Sequence, residues 1–423
     1  MLKRICLAII LLTGAGAAVL QAAESDINWK EELNTLKSRI NELETRLAAQ
    51  EGVSEEQKEI LNELGSVADA LGNLEFGVGV TAVVQDVHGA TQALNPEGNV
   101  TDATISLDLE LGAELWEGAS AFLLVEAGNG DGIDSDIATL SGLNDDADDD
   151  PGLHLTEAWL EQRWLDECVA LKVGKIGLTG PVGHNECGFD ANALANDETS
   201  QFLSSGFVNN ITIEFPEDNG FGLDLWVSPS DMIDIGFGIA EADSDWDDCF
   251  NSLFYIGEID FKLNPMGRPG TYRFYYWRNE LDHVRLDDAD SDQNAGEGYG
   301  LSFDQEINDW LAVFGRYGAA EEEIYMVSDA WSVGVQCSGE LWGREKDVLA
   351  VAYGVAELGD DGRDIIDLEI GDPKDEVHIE AYYNFFVNDH LQITADIQYL
   401  QNSLGTGEND DIWVFGLRSQ LGF

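Results

Sequence analysis

The chain has 423 residues, 82 of them acidic and 21 basic, for a formal charge of −61. A surface so rich in carboxylates repels polyphosphates and anionic headgroups, which excludes nucleic acid as a partner. No Lys or Arg occurs between Lys58 and Arg163, and adaptation to saline surroundings and a cation-attracting surface explain this equally well.

The first residues, MLKRICLAIILLTGAGAAVLQAA, place Lys3 and Arg4 before an apolar run from Ile5 to Leu12 and small residues up to Ala23. This order predicts a secretory signal peptide over residues 1–23, cut after Ala22 or Ala23. A membrane-anchoring helix is the competing reading, but the run is short for a span and is broken by Thr13, Gly14 and Gly16. Nothing after it offers the roughly 20 apolar residues a membrane helix needs, so entry into a membrane requires a closed barrel.

Residues 24–72 predict a coiled-coil stalk. Leu33, Leu36, Ile40, Leu43 and Leu47 follow steps of three and four, a seam that one helix cannot cover alone. Within it Arg39, Ile40, Leu43 and Glu44 occupy g, a, d and e, an arrangement that resembles the short trimer-specifying motif of parallel coiled coils. A surface helix with chance charges is the bland alternative. The phase resumes at Leu61, Leu64, Ala68 and Leu71, either as one rod or as a second helix capped at Ser54 and Gln57.

From residue 73 the period becomes two, which separates alternate residues onto opposite faces of a strand. ATISLDLELGAEL sets Ile105, Leu107, Leu109 and Leu111 against Ser106, Asp108, Glu110 and Glu114; LQITADIQYL and EVHIEAYYNFFV repeat the pattern. Aromatic residues gather near strand ends (Trp116, Trp159, Trp164, Trp310, Trp331, Trp342, Trp413), and short turns alternate with long acidic loops at 129–152, 283–296 and 358–375. These two features favour an all-β transmembrane fold over a soluble sandwich. Seventeen candidate strands emerge; a barrel with both ends in the periplasm needs an even number, and FVNNITIEF, residues 207–215, is the weakest. The expectation is therefore a sixteen-stranded antiparallel outer-membrane β-barrel over 73–423, preceded by an N-terminal coiled-coil helix.

Several stretches in order, FDANALANDETSQFL, GYGLSFDQEINDWLAVFGRYG, WSVGVQCSGELWGREKDVLAVAYG and the closing WVFGLRSQLGF, resemble the carbohydrate-selective porin family of Gram-negative outer membranes. The stalk is similar to that of the family's coiled-coil-bearing members, here without the surface-layer homology domain that usually precedes it. The resemblance implies a homotrimer of barrels in outer-membrane lipid with the stalk in the periplasm, passing small sugars by diffusion. It also implies inward-folded outer loops: NALANDETSQFL lies in such a loop, residues 178–205, where Asn196, Asp197, Glu198 and Gln201 are candidates for the constriction. The competing reading has them capping a short loop helix.

Strand parity assigns the pore lining. Asp108, Glu110 and Glu114 face inward on one strand, Glu258, Asp260 and Lys262 on a second, Asp304 and Glu306 on a third. Arg316, Gln336, Glu380, Asp396, Gln398 and Arg418 complete the set, with Tyr382 a flat face for sugar rings and Arg273 and Arg278 as further basic groups. Acids outnumber bases, so two mechanisms compete: diffusion of neutral sugars with weak serial hydrogen bonding, and a general cation-preferring porin with an acidic lumen. A third reading is a structural barrel whose stalk contacts peptidoglycan.

The acidic loop NGDGIDSDIATLSGLNDDADDDPG lacks the spacing and closing glutamate of a calcium hand and reads as a solvated charged loop. The mature cysteines Cys168, Cys187, Cys249 and Cys337 allow three full pairings, with Cys337 best read as a packing residue. No zinc spacing, GxSxG elbow, phosphate loop or HExxH occurs, so neither a metal, a cofactor nor an enzymatic activity is expected.

Overall fold

The computed structural model of the protein describes residues 74–423 apart from 91–94, 96–97, 148–150, 181–187, 248–249, 288–291 and 294, together with Thr35, Ser38 and Arg39. The signal peptide and almost all of the stalk, including Ile40, Leu43 and Glu44, lie outside the described residues, as do Cys187 and Cys249. Thr35, Ser38 and Arg39 are helical, and Cys168 and Cys337 are free thiols.

Period-two alternation gives long antiparallel strands in chain order: β1 Leu74–His88, β2 Thr101–Trp116, β3 Ala119–Asn129, β4 His154–Trp164, β5 Val169–Lys175, β6 Phe221–Ser230, β7 Ile233–Glu241, β8 Leu253–Leu263 and β9 Gly270–Asn279. A rim hairpin follows, β10 His283–Val284 and β11 Asp292–Gln293, then β12 Gly296–Asn308, β13 Leu311–Ala320, β14 Val327–Ser338, β15 Val348–Leu358, β16 Glu376–Asn388, β17 Leu391–Gln401 and β18 Ile412–Gly422. Neighbours pair throughout, β9 with β12, and β1 closes on β18 from Gly79↔Gly422 to His88↔Trp413, a closed barrel of sixteen strands. No strand edge is left to satisfy, which is the condition for crossing lipid with strands.

Residues 207–215 are not a strand. Ser205–Val208 form a short helix, α1, and Phe207, Val208 and Ile213 are all buried. Apolar residues of both parities are taken up inside the barrel, so the segment has no lipid face to present.

The connections sort by end. Those after β2, β4, β6, β8, β12, β14 and β16 are the shorter set and share an end with Leu74 and Phe423; the other end carries the longer loops, including helix α2, Asp360–Glu369. At the β2–β3 turn Gly118 takes φ 72, and a Cβ there would lie 2.7 Å from the Arg163 carbonyl oxygen, so the tight turn depends on glycine. Trp116, Trp164, Trp342 and Phe423 are exposed at the short-turn end, and Tyr276, Tyr299 and Trp413 toward the other, as two interfacial aromatic belts. Trp159 does not belong to them. It lies opposite Phe122 on the inward face and stacks on that ring at 5.1 Å, because it shares parity with Glu157 and Glu161.

Candidate functional site

Two long connections leave the rim and fold into the lumen, one through residues 130–147 between β3 and β4, the other through 188–215 between β5 and β6. Apolar side chains at unusual, inward positions of the wall explain why. Ile133, Ile137 and Leu143 pack on Val87, Leu400, Ile412 and Val414; Phe189 and Ile213 pack on Trp226, Phe254, Tyr275 and Trp277. Leu194, Phe202 and Phe207 meet Phe314, Ala350, Ala352 and Tyr382. Each buried large side chain contributes about 1.5–3 kcal/mol, enough together to hold loops that would otherwise be solvated.

Polar groups then set the position of each loop. Three inward residues of β16 form a rail. Glu376 accepts hydrogen bonds from the Leu140 and Ser141 amides, both 2.9 Å, from the Ser141 hydroxyl at 2.5 Å, and from the Leu404 amide at 2.8 Å. Glu380 accepts from the amides of Leu203 and Ser204 at 2.6 and 3.0 Å. Between them His378 Nδ1 lies 2.9 Å from the Ser141 hydroxyl and 3.1 Å from that of Ser204, while Nε2 meets Gln398 at 3.2 Å.

The loops also hold each other. The Gly206 amide donates to the Ser141 carbonyl at 2.7 Å and the Asp145 amide to that of Leu203 at 2.7 Å. A Cβ on Gly206 would stand 2.9 Å from the Ser141 side chain, so this crossing needs glycine.

All fourteen residues assigned by parity to the lumen do lie on the inward face, but five of them are buried between wall and loops and brace the loops. Arg316 donates to the carbonyls of Asp190 and Phe207 and to Asn196, and Arg418 to the carbonyls of Glu198 and of Gln201, the last at 2.6 Å. Glu258 accepts from the Asp190 amide at 2.9 Å, Glu380 acts as described, and Gln398 donates to the Leu143 carbonyl at 2.9 Å beside Asp396. Asp260, also buried, neighbours Arg273, which pairs with Asp304 at 2.6 Å. Tyr382 is 1% exposed, wedged against Phe202 with its hydroxyl on Gln336, and offers no face to a sugar. Arg278 has the opposite parity and pairs outside the barrel with Glu297 at 3.1 Å. Lys262 pairs with Asp234, and Gln336, Glu114 and Glu306 keep partial or full exposure.

In the second loop, Asp197 accepts hydrogen bonds from the amides of Thr199 and Ser200 at 3.0 and 3.2 Å, closing a turn and not a helix. Asn196 is bound to Arg316, Gln201 donates to the Ala193 carbonyl at 3.0 Å, and Glu198 stays half-buried at the inward tip. The loop at 129–152 is no solvated charged loop: its middle is the first lumen insert, and burial pushes the carboxyls of Asp134, Asp145 and Asp146 up.

The wall these inserts leave uncovered runs over β2, β3 and β4. Asp108 stands directly across from Glu126, Glu110 across from Leu124, and Glu157 beside them accepts from Trp159 at 2.7 Å. Asp146 of the first insert reaches this wall through Ser106 at 2.9 Å. Burial pushes the Asp146 carboxyl up to about 7, opposed by its bond to Ser106 and reinforced by Asp108. Burial likewise pushes Glu198 up to about 8, with Asp145, Asp197 and Asp146 adding to the rise. The nearest lysine, Lys172, is itself fully buried and paired with Asp224 at 3.3 Å. Sequence reasoning missed Glu126, Glu157, Glu376, Ser141 and the Asp145–Asp146 pair, although parity counted from Glu380 would have placed Glu376 inward.

The profile of the carbohydrate-selective porin, OprB family matches residues 92–423. Porin B of Pseudomonas aeruginosa is 21% identical over 311 residues, covering 64% of this chain and 68% of that protein. A putative porin, QuiX, of Acinetobacter baylyi is 20% identical over 365 residues, covering 73% and 79%, and an uncharacterized protein of Aquifex aeolicus is 25% identical over 256 residues, covering 60% and 67%. The high-pH structure of Pseudomonas putida OprB superposes with a TM-score of 0.73 at 16% identity, over 85% of this chain and 96% of that one, a likeness of fold.

Proposed function

This chain belongs to the carbohydrate-selective porin family, and on that premise we propose that its lumen is a passive outer-membrane channel for sugars with an acidic eyelet between the two inserts and the β2–β4 wall. One side of the eyelet is Asp108, Glu110, Glu126 and Glu157; the other is Asp146 and the tip at Glu198. The observation that carries this reading is that Arg316 and Arg418 spend their donors on loop carbonyls and side chains, while Arg163, Lys172, Lys262 and Arg273, also on the inward face, are each paired with a wall carboxylate outside the eyelet, so the eyelet carboxylates face the solute without basic groups to balance them. Neutral polyhydroxyl solutes meet acceptors for their hydroxyls, cations are drawn in, and anions are repelled.

Liposome swelling and a bilayer in asymmetric KCl test this together. Neutral hexoses should enter faster than the corresponding hexonates, with a cation-selective reversal potential. Anion selectivity, or equal entry of hexose and hexonate, would sink the acidic eyelet. The same reading includes a homotrimer assembled through barrel and stalk, with Arg39, Ile40, Leu43 and Glu44 in the stalk seam. The mass of detergent-extracted protein with and without residues 24–50 tests it, since a monomer in both removes the trimer.

A further inference from the structure

The connection after β7 begins Glu241-Ala242-Asp243-Ser244-Asp245, acids at alternate positions on the rim away from both termini. One carboxylate oxygen from each of Glu241, Asp243 and Asp245 lies within 4.8 Å of the others. Such a cluster alone means little, because exposed acids are often solvated together. Glu241 is different: it is 1% exposed, and neither of its carboxylate oxygens has a hydrogen-bond partner. Gly220 covers it, close enough that a Cβ there would stand 3.0 Å from the Glu241 Cβ. Among the described residues no Lys, Arg or His pairs with any of the three acids. An ionised carboxylate buried without a partner costs several kcal/mol, and two neighbouring carboxylates raise that cost. A cation between them reverses the sign.

We propose that Glu241, Asp243 and Asp245 bind a hard divalent cation, Ca²⁺, with Glu241 the inner ligand and the two exposed aspartates closing from the solvent side. All three donors are oxygens, the set hard cations take. Two oxygens bound to one Ca²⁺ can stand up to roughly 5.2 Å apart, against roughly 4.2 Å for Mg²⁺, so oxygens gathered to within 4.8 Å of one another need less closing-in around Ca²⁺ than around Mg²⁺. The ion would pin the β7–β8 connection over the end of the β5–β6 connection.

The test uses the full chain in detergent, stripped with EGTA and titrated with Tb³⁺, whose emission is sensitised by tryptophan; Trp246 follows Asp245 directly. The other carboxylates supply only a weak, unsaturating background. The expected result is one saturable component, displaced by Ca²⁺ at lower concentration than by Mg²⁺, abolished in Glu241→Gln and weakened at least tenfold in the Asp243→Asn, Asp245→Asn double variant. Asp231→Asn, at the opposite end of β7, should leave it unchanged. Because Glu241→Gln alters a buried site and the aspartates are exposed, the double variant decides alone if the first does not fold. A saturable component whose affinity is unchanged in the double variant, or none in the unaltered chain, overturns the site. Equal displacement by Mg²⁺ overturns the assignment to Ca²⁺.

Discussion

Replacing Glu376 with Gln should release the first insert from the wall. The carboxylate accepts from four donors, the amides of Leu140, Ser141 and Leu404 and the Ser141 hydroxyl, with no competing carboxylate bonded to it. An amide keeps one oxygen for two of them and turns an NH₂ group toward the other two. Hydrogen bonds to a charged group contribute about 1.5–3 kcal/mol each, and a buried donor left facing another donor costs about 1–3 kcal/mol. After allowance for local adjustment, a loss of about 3 kcal/mol from the docked loop is a conservative figure, or about a hundredfold in the ratio of docked to undocked states. Single-channel recording should show higher and noisier conductance, and liposome swelling should admit a longer oligosaccharide than the unaltered channel does. A Glu376→Gln channel with unchanged conductance and unchanged sugar-size cut-off would refute the assignment of this carboxylate as the fastening point.

Two more outcomes follow from charges described above. Asp146 and Glu198 carry carboxyls pushed up mainly by burial, to about 7 and about 8, so both are neutral at pH 6 and charged at pH 9; the cation preference in the reversal potential should therefore grow as pH rises across that window and shrink as it falls. Lys172 and Asp224 form a fully buried pair, and Lys172→Met strands the carboxylate at a cost of about 3–5 kcal/mol. Thermal melting should show a lower midpoint for Lys172→Met and substantial recovery in Lys172→Met, Asp224→Leu.

The barrel was readable from the sequence because lipid on one face and a polar lumen on the other impose period two on every strand, and β2, β16 and β17 follow it over most of their length, Leu400 being an inward apolar residue where the first insert covers the wall. Residue type alone puts Trp159 in an aromatic belt, whereas its parity, given by the flanking Glu157 and Glu161, puts it in the lumen. The two inserts were harder. In 130–147 the acids outnumber Ile133, Ile137 and Leu143, yet those three side chains decide where the segment goes, and their partners Ile412 and Val414 break the polar pattern of the inward face of β18. An apolar residue at a lumen position is the available signal that something covers it. Most of what Arg316 and Arg418 hold could not be read, since apart from Asn196 and Asp190 their partners are backbone carbonyls more than a hundred residues away and any residue type supplies a carbonyl.

That separation also orders events in time. The tip of the second insert is tied to Arg418 and Gln420 across about 220 residues of chain, and those two side chains acquire their places only when β18 has zipped onto β17 and β1. Contacts of such long range form late. The narrowing of the lumen therefore depends on the closure of the cylinder, because the side chains that hold the tip are in place only once the last strand has joined the wall.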